Sequence, residues 1–193
     1  MNIKTLFFIC LCYGITITAR DILVEAKASY FFFTNSLSRK IYGTGSGLFG
    51  GEVTAEIGKN FYGWVSGSFL TKKGYSLGGH DATRVTMAPV GVGLKYMYSM
   101  GNGDIYVGLG ALPTYLKTKD CSPFVIPIRS GWGIGGIVKA GYYQQIYKGL
   151  YIDIFADYSF AKVKFPCCDE LTIQSYAAHV NGVSLGLGIV YRF

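Results

Sequence analysis

Eight segments that alternate apolar and polar residues, connections that alternate short with long, and aromatics gathered at both ends of the apolar faces predict one fold class. It is all-β: an eight-stranded antiparallel up-and-down transmembrane β-barrel. Composition agrees. Hydrophobic residues make up 50% of the 193 residues and charged ones 15%, against about a quarter in ordinary soluble proteins, while Gly (27), Tyr (16) and Phe (13) are abundant. Beyond the N-terminal segment no uninterrupted apolar run reaches the roughly twenty residues of a spanning helix, so a membrane protein of this sequence must close a sheet on itself.

Residues 1–19 read as a secretory signal peptide, with Lys4 as the positive start, Leu6 to Ile17 as the apolar stretch, and Ile17, Thr18 and Ala19 as the cleavage site before Arg20. Residues 20–193 form the barrel domain. The first strand is expected over Asp21 to Thr34, setting Ile22, Val24, Ala26, Ala28, Tyr30 and Phe32 against Leu23, Glu25, Lys27, Ser29 and Phe31. After a polar stretch, Asn35 to Ser46, strands Gly47 to Gly58 and Phe61 to Lys72 make a hairpin at Lys59-Asn60. A second loop, Lys73 to Arg84, precedes Val85 to Tyr98. Met100 to Asp104, with its Gly-Asn-Gly, turns into Ile105 to Lys117. Loop three is Asp120 to Gly131. Trp132 to Ile146 and Leu150 to Lys164 join at Tyr147-Lys148-Gly149, and loop four, Phe165 to Asn181, leads to the last strand, Gly182 to Phe193.

With both termini inside the cell envelope, odd strands run outward and even ones inward. Lipid-facing aromatics then form an outer girdle of Tyr30, Phe32, Phe69, Tyr115, Trp132, Tyr158 and Phe160. An inner girdle takes Phe61, Tyr96, Tyr98, Tyr142, Tyr191 and Phe193. The opposite parity faces the lumen and collects Glu25, Lys27, Glu52, Glu56, Lys95, Lys139, Asp153, Asp157 and Arg192. Charges confined there call for pairing, and eight strands leave room for little beyond side chains or one small ligand. Arg192 is expected to find its acidic partner among Glu25, Glu52, Glu56, Asp153 and Asp157. Gly91, Gly93, Gly108, Gly110, Gly133, Gly135, Gly141, Gly186 and Gly188 also point inward, making room for Trp64, Tyr106, Tyr143 and Phe155 or leaving a cavity for a small apolar molecule. Pro89 and Pro113 lie within strands and predict a bulge and a lateral break in the ladder.

Ending on an aromatic two positions after another, GVSLGLGIVYRF resembles the terminal strand of bacterial outer-membrane barrels. The stretches APVGVGLKYMY (Ala88 to Tyr98), IYVGLGALPTY (Ile105 to Tyr115), WGIGGIVKAGYYQQI (Trp132 to Ile146) and GLGIVYRF (Gly186 to Phe193) resemble consecutive strands of the OmpW family, and more loosely the OmpX and OmpA barrels. The resemblance implies a Gram-negative outer-membrane location and a C-terminal signal, here Tyr191 and Phe193, read by the barrel-assembly machinery. It implies a structural role or passage of small hydrophobic molecules, as in OmpW-like proteins, or alternatively adhesion and interaction at the cell surface, as in OmpX-like ones.

The formal net charge is +7, and the basic excess falls at the external end. Arg39, Lys40, Lys72, Lys73, Lys117, Lys119, Lys162 and Lys164, with Arg84 and Arg129, are positioned to pair with lipopolysaccharide phosphates. Cys121, Cys167 and Cys168 survive signal cleavage. A bridge from Cys121 to Cys167 or Cys168 would tie loops three and four and leave one thiol over. Adjacent cysteines lack the C-x-x-C spacing of tetrahedral sites, so metal binding by Cys167, Cys168 and His179 is disfavoured. Gly45, Gly47 and Gly50 match G-x-G-x-x-G but open a strand rather than a helix, which removes the dinucleotide reading. A lipid A-modifying enzyme would have only Ser76, His80, Asp81 and His179 to draw on, all in loops two and four. The expectation is therefore a monomeric non-enzyme with no cofactor, no metal and no nucleic-acid partner. Its partners are outer-membrane lipid and lipopolysaccharide, the assembly machinery and a small hydrophobic ligand.

Overall fold

The computed structural model describes residues 21–76, 81–120, 128–165 and 177–193. The proposed signal peptide, His80, Cys121, Cys167 and Cys168 lie outside them. The strands are β1 (Ile22–Phe33), β2 (Gly45–Gly58), β3 (Phe61–Tyr75), β4 (Ala82–Met100), β5 (Gly103–Ala111), β6 (Thr114–Asp120), β7 (Ile128–Tyr147), β8 (Leu150–Lys164) and β9 (Ala177–Arg192). Consecutive strands pair, except that β5 and β6 lie end to end between β4 and β7; all pairings are antiparallel, and β9 pairs with β1 from Leu23↔Arg192 to Phe33↔Gly182, which closes the ring.

The ring has eight positions because β5 and β6 are one strand interrupted at Leu112-Pro113. The expected bulge is absent. On β4, Val92 faces Ala111 and Pro89 faces Thr114, three residues further along on both strands, so no residue is inserted. Pro113 lacks an N–H, but its carbonyl still accepts from Val90 N at 2.8 Å and Leu112 N donates to Gly135 O at 2.9 Å. On its other side β4 loses pairing between Gly67↔Val90 and Leu70↔Met87, again with register kept. The prolines thus thin the ladder without shifting it. Register shifts occur instead beside the short turns, at Glu56/Gly58 and Gln145/Tyr147.

Several strands run further than their apolar patterns. Lys73↔Arg84, Gly74↔Thr83 and Tyr75↔Ala82 are paired, so the second loop shrinks to residues 76–81 and is not a long connection. Strand β6 reaches Asp120, β7 begins at Ile128 and β9 at Ala177. Polarity marks where strands leave lipid, not where pairing stops, because a ladder standing in water keeps its backbone bonds while its side chains may be charged. The first connection holds a short helix, α1 (Ser36–Tyr42), capped by Asn35, whose side chain accepts from Leu37 N at 2.9 Å.

Outward faces are apolar over the middle of every strand, with Val53, Val65, Leu94, Leu109, Ile134, Val138, Ile154 and Leu187 all exposed. In water such a surface would aggregate; around a closed barrel it is a lipid-facing belt. Aromatic pairs bound it at the expected ends: Tyr30–Phe32 and Tyr115–Trp132 at the end carrying α1, and Phe61–Tyr96 and Tyr191–Phe193 at the other, with centroids 4.7 to 5.3 Å apart.

Candidate functional site: a layered lumen

Side chains fill the lumen in three layers between the inner end, which carries the chain terminus, and the outer mouth, which carries α1. At the inner end Leu23, Tyr62, Met97, Tyr106, Tyr143, Tyr151, Phe155 and Val190 form one buried cluster. Arg192 sits at this rim and pairs with Asp104, Nη2 to Oδ2 at 2.6 Å, while its Nη1 donates to the Tyr151 hydroxyl at 3.3 Å. None of the five expected acids is its partner. Asp104, which the sequence places in the turn, belongs to β5 with the lumen parity of Tyr106, two residues on. Ser99 Oγ donates to its other oxygen at 2.6 Å.

Above this lies the charged layer. Strands β1, β2, β4, β7 and β8 bring Glu25, Lys27, Glu52, Lys95, Lys139, Asp153 and Asp157 together, each buried or nearly so. Glu52 is the hub. Lys95 and Lys139 each bond one of its carboxylate oxygens, and Lys27 Nζ stands 3.8 Å from it. Lys27 also approaches Glu25 at 3.5 Å and Asp153 at 3.6 Å. The tyrosines complete the layer from below: Tyr106 donates to Asp153 Oδ2 at 2.8 Å, and Tyr143 accepts from Lys95 at 2.9 Å. Lys95 lies over the Tyr106 ring at 4.3 Å and Lys139 over Trp64 at 4.2 Å. Asp157 is held more loosely, with Lys139 at 3.9 Å. Glu56 stays outside this layer and has no ion pair among the described residues.

The inward glycines are spaces for these side chains. A Cβ at Gly91 or Gly110 would stand 2.6 Å from the Trp64 ring, one at Gly141 would stand 2.5 Å from the Tyr106 hydroxyl, and one at Gly188 would strike the Glu25 carboxylate.

The outer half is different. Phe31, Phe33, Leu70, Val85, Met87, Leu116, Val163 and Phe165 form a second buried cluster, flanked by Tyr42, Leu48, Ala178 and Val180. Within it a chamber of about 460 Å³ opens toward the mouth under α1. A smaller cavity of about 60 Å³ sits directly on the charged layer, reached by Lys27, Lys139 and Asp157 and edged by Ser29, Ser66, Ser68, Ser159 and Ser184. Met87 and Val180 line both.

The basic residues divide by register. Lys73, Arg84 and Lys119 face one another across β3, β4 and β6 and are exposed, with Lys117 on the same outward face. Lys162 and Lys164 point outward from β8, and Arg39 and Lys40 end α1. Lys72 alternates with Lys73 and takes the lumen parity at the mouth. Ser76 and Asp81 bond each other across the second loop, Asp81 N donating to Ser76 Oγ at 3.1 Å, which gives both a turn-forming role. Among the described residues no group of three or more His, Cys, Asp or Glu side chains is arranged to hold a metal ion.

No protein-family model matches the chain, and no curated protein matches its sequence. Among solved structures it is similar to OprG from Pseudomonas aeruginosa, at 13% identity and TM-score 0.61 over 90% of this chain and 95% of that one. Outer Membrane Protein W of E. coli gives 14% identity and TM-score 0.58 over 90% and 97%. Ail of Yersinia pestis, solved in complex with the heparin analogue sucrose octasulfate, gives 15% and 0.51 over 90% and 97%. At these identities the likeness is one of fold: the chain is a small outer-membrane-type β-barrel.

Proposed function

We propose that this protein is a monomeric, non-enzymatic outer-membrane barrel, exported behind residues 1–19, that admits small hydrophobic molecules into the outer half of its lumen. One observation carries the reading. The chamber of about 460 Å³ has walls built mainly by Phe33, Leu70, Val85, Met87, Leu116 and Phe165, with Asp120, Arg129 and His179 also in its lining, while the layer beneath it is filled by charges paired around Glu52 and by stacked tyrosines. An apolar recess open to one side and stopped on the other suits entry of an apolar solute rather than conduction of ions. Purified barrel in liposomes should therefore accelerate uptake of a short alkane or aromatic solute while its single-channel conductance stays near the noise. Ion currents without solute uptake would refute the reading.

A second reading rests on the Lys73–Arg84–Lys119 rung. Like charges directly opposite on neighbouring strands destabilise a sheet, and no ion pair relieves these three among the described residues. An anionic surface would relieve them. Lipopolysaccharide phosphates contacted by Arg39, Lys40, Lys73, Lys117, Lys119, Lys162 and Lys164 are the bulk source, Lys72 facing the lumen instead, and polyanions at a host surface are the interaction-protein alternative. Neutralising Lys73, Arg84 and Lys119 together should weaken retention on heparin if that alternative holds, and leave retention unchanged if it does not. Tyr191 and Phe193 would serve as the assembly signal.

A further inference from the structure

The charged layer does not balance. Four carboxylates, Glu25, Glu52, Asp153 and Asp157, meet three ammonium groups, Lys27, Lys95 and Lys139. Glu52 takes contacts from all three lysines, and Glu25 and Asp153 share Lys27 and the hydroxyls of Tyr143 and Tyr106. Glu25, Asp153 and Asp157 each keep one buried oxygen with no hydrogen-bond partner, and the longest ion pair is that of Asp157. This residue is 8% exposed, its only cation stands 3.9 Å away, and its Oδ1 has no hydrogen-bond partner. It is also the one acid that reaches the small cavity, whose rim of serine hydroxyls includes four, on Ser66, Ser68, Ser159 and Ser184, that make no side-chain hydrogen bond among the described residues. An uncompensated carboxylate in a low-dielectric enclosure is costly, and a donor-bearing cation beside it removes that cost.

We propose that the small cavity is the head-group site for an apolar molecule bearing a primary ammonium group, whose chain lies in the outer chamber. The inference rests on the uptake reading above and gives it a substrate class. Size fits: about 60 Å³ holds roughly four water-sized groups at ~15 Å³ each, enough for an ammonium and its first methylenes. Continuity fits, since Met87 and Val180 line both spaces. Charge fits as well. Lys27 and Lys139 also line the cavity but are already paired within the layer, so an ammonium placed at Asp157 brings the count to four against four, the serines take its remaining hydrogens, and a carboxylate head would deepen the deficit.

The sequence has two tryptophans, and only Trp64 lies inside, stacked under Lys139; Trp132 sits in the outer girdle against Tyr115. A Trp132→Phe barrel in nanodiscs therefore reports the site through Trp64 emission. The probes are octylammonium chloride, 1-octanol and sodium octanoate, each read against empty nanodiscs. Octylammonium should give a saturable response at about tenfold lower concentration than octanol, with octanoate silent; tenfold corresponds to about 1.4 kcal/mol. Adding Asp157→Asn should bring octylammonium to within about threefold of octanol, a residual difference of under about 0.7 kcal/mol. Octanol or octanoate matching octylammonium, or an advantage that survives Asp157→Asn, overturns the proposal and leaves the uptake reading standing. Silence from all three probes overturns both. The ranking of probes is read on the Trp132→Phe barrel alone, so the test survives if Asp157→Asn does not fold.

Discussion

The two halves of the lumen are filled by opposite means. In the inner half, seven charged side chains and the stacked Tyr106–Tyr143 pair, with ring centroids 4.7 Å apart, occupy the space and pair around Glu52, one ammonium short of balance. In the outer half apolar side chains line the wall and leave it partly empty. The same eight strands build both, so the backbone does not decide whether a small barrel is plugged. That depends on which residues alternate inward at each level: long charged ones whose ends meet at the axis, or apolar ones that cover the wall and stop short of it.

If the inner half is a network around Glu52, removing that hub should have the largest effect of any single lumen change. Glu52→Ala leaves Lys95 and Lys139 buried without their shared carboxylate, and should destabilise the barrel by about 3–5 kcal/mol in urea unfolding. A variant as stable as the parent would mean that the layer is solvated and the contrast between halves unreal. Next comes Gly110→Ala. Its Cβ would meet the Val92 carbonyl and stand 2.6 Å from the Trp64 ring, so Trp64 must shift under Lys139, at about 1–3 kcal/mol. Trp64 emission in the Trp132→Phe background should report that shift.

A change of similar size in the outer half should behave differently. Met87→Trp adds volume where two cavities adjoin, so it should lower stability by under about 1.5 kcal/mol yet largely abolish solute uptake in liposomes. Loss of folding with Met87→Trp would show the outer half to be as tightly packed as the inner one.

Much of this was legible in the chain because a period of two fixes facing once a strand is recognised. Leu150 to Lys164 is a strand over its full expected length, and the parity that sent Glu52, Lys95, Lys139 and Asp157 inward is the parity observed. Which inward charge meets which was not legible, since that depends on tilt and register around the ring. Parity alone points Arg192 toward the acids at mid-lumen, whereas the antiparallel ladder keeps it at the rim with Asp104. Helix α1 leaves almost no trace in the sequence, because seven residues offer too few turns for periodicity and Asn35 as a cap is its only signal. The second loop is shorter than its polar run, because Lys73 and Arg84 resemble loop residues and are strand residues standing above lipid.

The rim pair tests the comparison at its weakest point. Arg192 and Asp104 make a close bond at 2.6 Å; the aspartate is buried, but the arginine side chain is 21% exposed at the inner end, so water reaches one side of the pair. Geometry alone would rank this pair with the contacts of Glu52; exposure ranks it far below. Asp104→Asn keeps the shape and a bond from Ser99, and so should cost about 1 kcal/mol or less, shrinking further in high salt. If Asp104→Asn instead approaches the effect of Glu52→Ala, the inner end is as dry as the middle, and the charged network extends to the terminus. A small, salt-sensitive effect places the boundary of the plug between Tyr106 and Asp104, two residues apart on one face of β5.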